Sequence, residues 1–331
     1  MNSNFPTIYG IGNPLIDIVI QATQDDLNNL NLNKGVMHLV DENRQQEIIQ
    51  YFKETSPNYF PGGSAPNTMV TCAGLGISAL IAGKIGKDEF GDIYANQVEQ
   101  FGVQSGLVRG EGPTGSSIIL VTPDGERTMN THLGMCREFS NEDVNESKVA
   151  HAEYFYFTGY MWDTDSQKNA ILKAISIAKK NQTRIVFDVA DPFAVDRNTV
   201  EFHQLIQKDV DLVFANESEL NILFGSKNLD ECSHALAGIV THAGIKLGKK
   251  GSLVLENGEK HYLKPQPISA TDSTGAGDMY AAGFLSALTH GKSYKECGHM
   301  GGLLAEEIIQ QSGAQFSLDK MSHLKTQLLA S

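Results

Sequence analysis

The segment Asp272-Ser273-Thr274-Gly275-Ala276-Gly277-Asp278 is followed at once by a strongly apolar run, residues 279–288. Small residues before apolar residues at helical spacing predict a loop that ends in a helix N-terminus. Its glycines let the backbone come close to a ligand, and the amides of a first helical turn favour an anion. There Asp278 would accept a proton from a substrate hydroxyl while the amides of Gly275, Ala276 and Gly277 hold phosphoryl charge. A simple helix cap is the alternative interpretation, and the two flanking aspartates favour the functional one.

Short apolar stretches alternate with helical patterns along the rest of the chain. Residues 7–11, 78–83, 154–158, 184–188 and 212–215 have the pattern of short buried strands, and residues 88–100 and 165–181 that of helices. Such alternation predicts an α/β fold, a mostly parallel central sheet with helices on both faces. Ligands of these folds bind beyond the carboxyl ends of the strands.

Two stretches break the alternation and predict a second, smaller β-sheet. Residues 17–22 and 35–40 are rich in strand-forming residues, and residues 114–133 have the pattern of a hairpin that turns at Pro123-Asp124-Gly125. We expect a lid, formed by about 17–40 and 114–133, inserted in a single domain that spans residues 1–331. Edge strands of the main sheet are the alternative.

Composition argues against several classes of function. The chain of 331 residues has 26 basic and 39 acidic residues and a formal net charge of −13, which disfavours partners such as nucleic acids and anionic membranes. No apolar run approaches the roughly 20 residues of a transmembrane helix. The four cysteines lack disulfide and zinc spacing, which predicts reduced, buried thiols in a cytoplasmic protein.

Three further segments place polar residues at predicted strand or helix ends. Pro61-Gly62-Gly63-Ser64-Ala65-Pro66-Asn67 opens a helix and offers an asparagine suited to hydroxyl groups, and Asp17 follows the first strand. Asn216 and Glu219 are three residues apart on one helix face, where oxygen ligands suit Mg²⁺ held partly through water. Each segment taken alone is also typical of an ordinary turn or cap.

Taken together, Gly62-Gly63-x-x-x-Asn67 and Asp272-Ser273-x-Gly275-Ala276-Gly277-Asp278 resemble the two signatures of the PfkB/ribokinase family of carbohydrate and nucleoside kinases. Segments 12–17, 122–131 and 159–163 resemble the adenosine kinase branch, in particular bacterial adenosine kinase-like proteins described as sugar kinases. The resemblance covers nearly the whole chain. It implies a Rossmann-like, three-layer kinase fold of the ribokinase type, with a small β-sheet lid.

The resemblance also implies a role for each matching position, with ATP and Mg²⁺ as cofactors. Asp278 would be the general base beside an anion hole formed by the amides of Gly275, Ala276 and Gly277. The substrate would be bound by Asp17, Gly63, Asn67 and Arg127, the last of which also reaches toward the phosphates. The nucleotide would be bound by Asn216, Gly248, Gly251 and Thr274, and Mg²⁺ through water by Glu219. The adenine of ATP would lie near Ile268 and residues 305–313, and a K⁺ ion near Asp272, Thr274, Gly313 and Ser317.

One segment departs from the family pattern. The nucleotide-side loop usually has the form T-x-G-x-x-G, and here it is Lys246-Leu247-Gly248-Lys249-Lys250-Gly251, with lysine in place of threonine. The two glycines are retained, which predicts contact with phosphate or ribose.

Three functions remain open from the sequence. The first is a kinase that transfers the γ-phosphate of ATP to a nucleoside hydroxymethyl, with adenosine as the leading candidate and AMP as its product. The second is a free-sugar kinase similar to ribokinase or fructokinase. The third is a noncatalytic nucleotide- or sugar-binding protein, which the intact Asp278 disfavours because a binding module gains little from a base.

A nucleoside pocket needs apolar walls beyond the sugar. The residues that could supply them, each of which could equally be a core residue, are Leu15, Met37, Met129, Leu133, Tyr160, Met161 and Trp162. We expect a small-molecule substrate and either a monomer or a homodimer, since an accessory β edge can pair with a second copy.

Overall fold

The computed structural model describes residues 5–35 and 37–330, with side chains as far as residue 327. Its strands are β1 (Ile8–Ile11), β2 (Leu15–Gln21), β3 (Met37–Leu39), β4 (Asn58–Gly62), β5 (Ala79–Gly86), β6 (Gln104–Gly110), β7 (Gly115–Val121), β8 (Arg127–His132), β9 (Tyr154–Thr158), β10 (Arg184–Asp188), β11 (Leu212–Asn216), β12 (His242–Lys246), β13 (Ser252–Glu256) and β14 (Glu259–Leu263). Its α-helices are α1 (Gln24–Asn29), α2 (Glu42–Tyr51), α3 (Ser64–Gly74), α4 (Glu89–Gln100), α5 (Glu146–His151), α6 (Asp165–Asn181), α7 (Pro192–Asp209), α8 (Glu217–Phe224), α9 (Leu229–Ala237), α10 (Ala276–Thr289), α11 (Tyr294–Ile308) and α12 (Leu318–Ala330).

The larger sheet has nine strands in the order β14-β13-β12-β11-β10-β9-β1-β5-β6. Strands β12 through β6 in that order pair in parallel, and β13 and β14 continue the sheet antiparallel at one edge. A separate hydrophobic cluster covers each face beneath the helices. The predicted α/β fold is therefore confirmed.

The continuous apolar strands were the easiest elements to predict. Strands β9 and β10 and helix α6 have the bounds that the sequence predicts, because their apolar residues are unbroken or strictly periodic. Strands β6 and β14 were not predicted, since they lie at the two edges of the sheet and are half-exposed. The antiparallel edge that begins at β13 was also missed.

The smaller sheet has five strands in the order β3-β8-β7-β2-β4. It contains the hairpin predicted within residues 114–133 and most of the stretches 17–22 and 35–40, so the alternative of edge strands in the main sheet is wrong. Strand β4 was not predicted because Pro61 is unusual in a strand, and it occupies an edge, where proline is tolerated. Within the predicted domain 1–331, residues 1–4, 36 and 331 lie outside the described residues.

The two faces of the small sheet have different surroundings. Alternate residues of β2, namely Ile16, Ile18 and Ile20, are buried in the hydrophobic cluster that also contains Leu27 of α1 and Ile48 of α2. On the opposite face, Asp17 and Arg127 line a cavity that is also lined by Thr274 and residues 312–317. We call this second surface the cleft face.

Helix α10, which begins just after the Gly275 turn, packs closely on α11. A Cβ atom at Gly283 would lie 2.6 Å from the carbonyl oxygen of Met300, and one at Gly301 would lie 2.7 Å from that of Tyr280. Real side chains do not come this close to backbone, so the two glycines set the distance between the helices. All four cysteines are buried and unpaired. In the described part of the chain, no helix combines the length and apolarity needed to cross a membrane.

We expect Gly283→Ala to lower the free energy of unfolding by about 1–3 kcal/mol, because the added methyl group overpacks the contact between α10 and α11. Gly302→Ala is the matched control, since a Cβ there meets open space on α11. It should raise the free energy of unfolding by about 0.5–1 kcal/mol through helix propensity. Urea unfolding of both variants measures the difference, and equal changes would contradict the packing argument.

Candidate active site

The polar ends of three neighbouring parallel strands meet at one edge of the large sheet. Strand β10 ends at Asp188, β11 at Asn216 and β12 at Lys246, and Asn216 pairs in register with Lys246. The N-terminus of α10 lies over the same edge, since a Cβ atom at Gly277 in its first turn would be 3.3 Å from Lys246 Nζ. Asp188 was missed in the sequence, although it ends an apolar strand just as Asn216 does.

The loop before α10 has the geometry of an anion-binding turn. Gly275 is the N-cap at φ +76°, and a Cβ there would lie 2.8 Å from Ala314. The first-turn amides of Gly277 and Asp278 have no acceptor within the helix, as in any α-helix. The amide of Ala276 donates to the carbonyl oxygen of Ser273 at 3.2 Å. The helix dipole and the amides that point out of the first turn therefore favour an anion here.

Asp278 is held by two donors from the start of α3. Ser64 Oγ donates to its Oδ1 at 2.6 Å, and Asn67 Nδ2 donates to its Oδ2 at 2.9 Å. Gln315 Nε2 donates in turn to Asn67 Oδ1 at 2.9 Å and to the carbonyl oxygen of Pro61 at 3.0 Å. Ser64 and Gln315 were not predicted. Asn67 orients the carboxylate in this structure, and its predicted contact with substrate hydroxyls remains a prediction.

Burial in the cleft raises the pKa of Asp278 to about 7, against the opposing effect of the hydrogen bonds from Ser64 and Asn67. Burial likewise raises the pKa of Asp17 to about 7, with Arg127 lowering it and Asp278 adding to the rise. A carboxylate with a pKa near the working pH is well matched to general base catalysis.

The Gly62-Gly63 pair makes room for Asp17. A Cβ at Gly62 would lie 2.5 Å from Asp17 Oδ2. Gly63 has φ +101°, and a Cβ there would lie 2.1 Å from the carbonyl oxygen of Asn13. The predicted substrate residues Asp17 and Gly63 are thus brought together with Asp278 at one point of the cleft.

Arg127 joins the small sheet to the anion-binding loop. Its Nη1 donates to Asp272 Oδ2 and Thr274 Oγ1, both at 2.5 Å. Its Nε is one of the buried donors that have no partner among the described residues. An unpartnered buried donor beside an anion site suits a phosphate oxygen, so the site fits a nucleoside triphosphate.

The residues predicted for K⁺ lie together, but their carboxylate is already engaged. Asp272 Oδ1 accepts the amide of Thr274, and its Oδ2 accepts that of Gly313, both at 3.0 Å. With Arg127 also donating to Asp272, both carboxylate oxygens are occupied by hydrogen bonds. Ser317 lines the same cavity as Gly313. The K⁺ site therefore stays a prediction.

Asn216 and Glu219 form the cap of α8. Asn216 Oδ1 accepts the Glu219 amide at 2.9 Å, and Glu219 accepts from the amide of Asn216 at 2.7 Å and from its Nδ2 at 2.5 Å. Glu219 is 1 % exposed, and burial raises its pKa to about 7. A carboxylate held rigidly near Asp188 fits a Mg²⁺ ion bound through water.

The nucleotide-side segments also converge. Gly251 has φ +92°, and a Cβ there would lie 2.0 Å from the carbonyl oxygen of Leu263, so this turn requires glycine. Gly248, at φ +57°, faces open space. The amides of Thr271 and Asp272 donate to the carbonyl oxygen of Ile309 at 2.7 and 3.1 Å. This brings the segment that follows Ile268 against residues 305–313, where the adenine of ATP is predicted to lie.

A cavity of about 280 Å³ separates the cleft face of the small sheet from residues 312–317. Met129 lies two residues after Arg127 on β8, and it pairs with Met37 on one side and Ile119 on the other. These side chains therefore form an apolar row across the cleft face, level with Val19, which pairs with Ile119 and lies two residues after Asp17. Ile119 was not among the predicted wall residues.

Two of the predicted wall residues belong to the core instead. Met161 and Trp162 are 0 % and 8 % exposed and pack in the hydrophobic cluster on one face of the large sheet. Trp162 stacks with Phe157 and donates from Nε1 to Glu201 at 2.8 Å. The periodic pattern did not distinguish them from wall residues because both roles need apolar side chains.

Residues 39–321 of the chain match the family described as pfkB family carbohydrate kinase. The chain belongs to this family. It is similar to the crystal structure of adenosine kinase from Sinorhizobium meliloti, with 35% identity, a TM-score of 0.88, and coverage of 96% of this chain and 98% of that one. It is also similar to a probable sugar kinase protein from Rhizobium etli CFN 42, with 34% identity, a TM-score of 0.90, and coverage of 98% and 99%.

By sequence, this pfkB family member is 29% identical over 326 residues to the adenosine kinase of Dictyostelium discoideum, which covers 92% of this chain and 94% of that protein. Kinases of this family are phosphotransferases that act on hydroxyl groups and use ATP and Mg²⁺. The chain is accordingly a kinase with an alcohol group as acceptor.

Replacing Asp278 by asparagine should stabilise the protein in a pH-dependent way. The pKa of an aspartate in the unfolded chain is near 3.8, and burial raises the pKa of Asp278 in the folded chain to about 7. Between these pKa values the unfolded chain loses its proton before the folded chain does, so the free energy of unfolding of the wild type falls as the pH rises. Above about pH 7 both states are ionised, and the full loss of free energy of unfolding remains. An asparagine does not ionise. The gain in unfolding free energy from Asp278→Asn should therefore grow from pH 4.5 to pH 8.

Urea unfolding at several pH values measures this gain. Asp319→Asn is the matched control, since Asp319 also lies in a first helical turn but is exposed. A gain for Asp278→Asn that is the same at pH 4.5 and pH 8 would show that the carboxylate is not desolvated.

Proposed function

We propose that this kinase transfers the γ-phosphate of ATP to the hydroxymethyl group of a nucleoside, with adenosine as the leading acceptor and AMP as its product. The observation that carries the proposal is the position of Asp278. Its carboxylate lies in the first turn of α10, held by Ser64 and Asn67 and close enough to Asp17 for the two charges to interact.

The residues of the cleft divide the chemistry between them. Asp278 accepts the proton of the acceptor hydroxyl as its oxygen bonds to the γ-phosphorus, and the bond from that phosphorus to the bridging oxygen of ADP breaks. The α10 amides and Arg127 neutralise charge on the phosphoryl oxygens. Glu219 would hold Mg²⁺ through water, and that ion supplies further charge neutralisation when it is bound.

The cleft face favours a nucleoside over a free sugar. Met37, Met129 and Ile119 form an apolar row, with Leu15 on the same face as Asp17. A purine base gains from apolar walls, whereas a free sugar has no group to place against them. The similarity to the S. meliloti adenosine kinase agrees with this preference. A free-sugar kinase is the second candidate, because the similar R. etli protein is a probable sugar kinase.

The small sheet is the natural lid of such a site. Arg127 on β8 reaches across to Asp272, so the hairpin is tied to the anion-binding loop. Closure of the sheet would exclude water and favour transfer to the acceptor over hydrolysis of ATP. We expect either a monomer or a homodimer that pairs at an edge strand of this sheet, β3 or β4.

Release of ADP from ATP, measured with adenosine, inosine, guanosine, cytidine, ribose and fructose, tests the proposal. We expect turnover with a purine nucleoside and a loss of about 10²–10⁴-fold in Asp278→Asn. Asp319→Asn should retain wild-type turnover. Turnover with ribose or fructose alone would identify a sugar kinase, and no turnover of any acceptor by folded protein would favour a binding role.

Met129→Ser tests the apolar row. We expect KM for the nucleoside to rise about 10- to 100-fold with little change in kcat, since a wall that contacts only the base contributes about 1–3 kcal/mol of binding. Leu318→Ser, at an exposed apolar position, is the control. If Met129→Ser left KM for adenosine unchanged, the base would have to bind elsewhere.

A further inference from the structure

Lys246 is a buried charge in the cleft that the family signatures do not explain. It ends β12 at the position where the nucleotide-side motif usually has threonine. Its Nζ lies 3.0 and 3.1 Å from the two carboxylate oxygens of Asp188. The side chains are only 16% and 2% exposed, so both charges are held away from bulk water.

The ammonium group of Lys246 also lies against the anion-binding turn. A Cβ atom at Gly277 would be 3.3 Å from Lys246 Nζ, so this nitrogen is close to the first-turn backbone of α10. A helix N-terminus and an ammonium group both attract anions. The two attractions act on the same small volume beside Asp278.

Neutralising Asp188 does not use all of the hydrogen-bonding capacity of Lys246. An ammonium group has three donors, and the structure directs two contacts to Asp188. Asp188 also has a second hydrogen-bond donor, since its Oδ1 accepts a hydrogen bond from the amide of Ala190 at 3.1 Å. One Lys246 donor therefore remains, on a nitrogen that lies close to Gly277.

We propose that Lys246 is a catalytic residue that donates this remaining N–H to an oxygen of the transferred phosphoryl group, while Asp188 positions its ammonium group. The inference rests on the proposed function. The acceptor oxygen forms a bond to the γ-phosphorus, the bond to the bridging oxygen of ADP breaks, and the proton passes to Asp278. Lys246 keeps its protons and supplies charge, as a lysine commonly does for phosphate.

Two variants that differ only at Lys246 test whether this lysine contributes to catalysis beyond neutralising Asp188. In Asp188→Asn and in the double variant Asp188→Asn with Lys246→Met, the Asp188 charge is absent, so loss of the lysine leaves no unpaired carboxylate at that position. We expect kcat of the double variant to be about 10²–10³-fold below that of Asp188→Asn, the loss seen when one charge-stabilising donor is removed. Lys260→Met, which removes a half-buried lysine from β14, should retain wild-type kcat.

Equal kcat values in Asp188→Asn and the double variant would overturn the inference, because Lys246 would then serve only to neutralise Asp188. Calorimetric titration with a nonhydrolysable ATP analogue and with ADP gives a readout independent of the acceptor. The double variant should bind the analogue about tenfold more weakly than Asp188→Asn and bind ADP equally well. Equal affinity for the analogue would also overturn the inference.

The result that would contradict the proposed function differs from the results that would contradict the role of Lys246. If the wild type turned over no acceptor, the proposed function would fall, and the two titrations would still show whether Lys246 contacts the γ-phosphate. If the wild type were active and either comparison showed no difference, only the proposed role of Lys246 would be wrong.

Discussion

Negative charge gathered in a desolvated cleft is the constraint on which this site depends. Asp17, Glu219 and Asp278 each have a pKa raised to about 7, and in all three burial is the main cause. Lys246 and Arg127 bring positive charge into the same space. A triphosphate adds more negative charge, and in the proposed function these two cations, the α10 dipole and a divalent ion together offset it.

Several glycines allow chain segments of this charged site to lie unusually close together. At Gly62, Gly63 and Gly275, an added Cβ would collide with Asp17, with backbone at Asn13 and with Ala314. At Gly283 and Gly301, an added Cβ would push apart α10 and α11, and α10 contains Asp278, the proposed general base. The signature glycines therefore act by letting chain segments meet, and the charged side chains use the space that results.

The elements that could be predicted are those specified by a continuous local pattern in the sequence. Buried strands such as β9 and β10 and the loop before α10 have unbroken apolar or small-residue patterns, so their positions were predicted to within a residue or two. Asp188, Ser64 and Gln315 were missed because each becomes part of the site only through the order of the strands and the packing of α3 on α10. Lys246 was noticed as a departure from a motif, but its partner lies 58 residues away in the chain.

The two sheets supply different parts of the proposed site. In the proposed function, the groups that act on the phosphoryl group come from the large sheet, from α10 and from Arg127 of β8, whereas the apolar walls for the acceptor come from the cleft face of the small sheet. An adenosine kinase and a probable sugar kinase are similar to this chain to almost the same degree, at 35% and 34% identity. On this proposal, substitutions among a few cleft-face strand residues would change the acceptor and leave the groups for phosphoryl transfer unchanged.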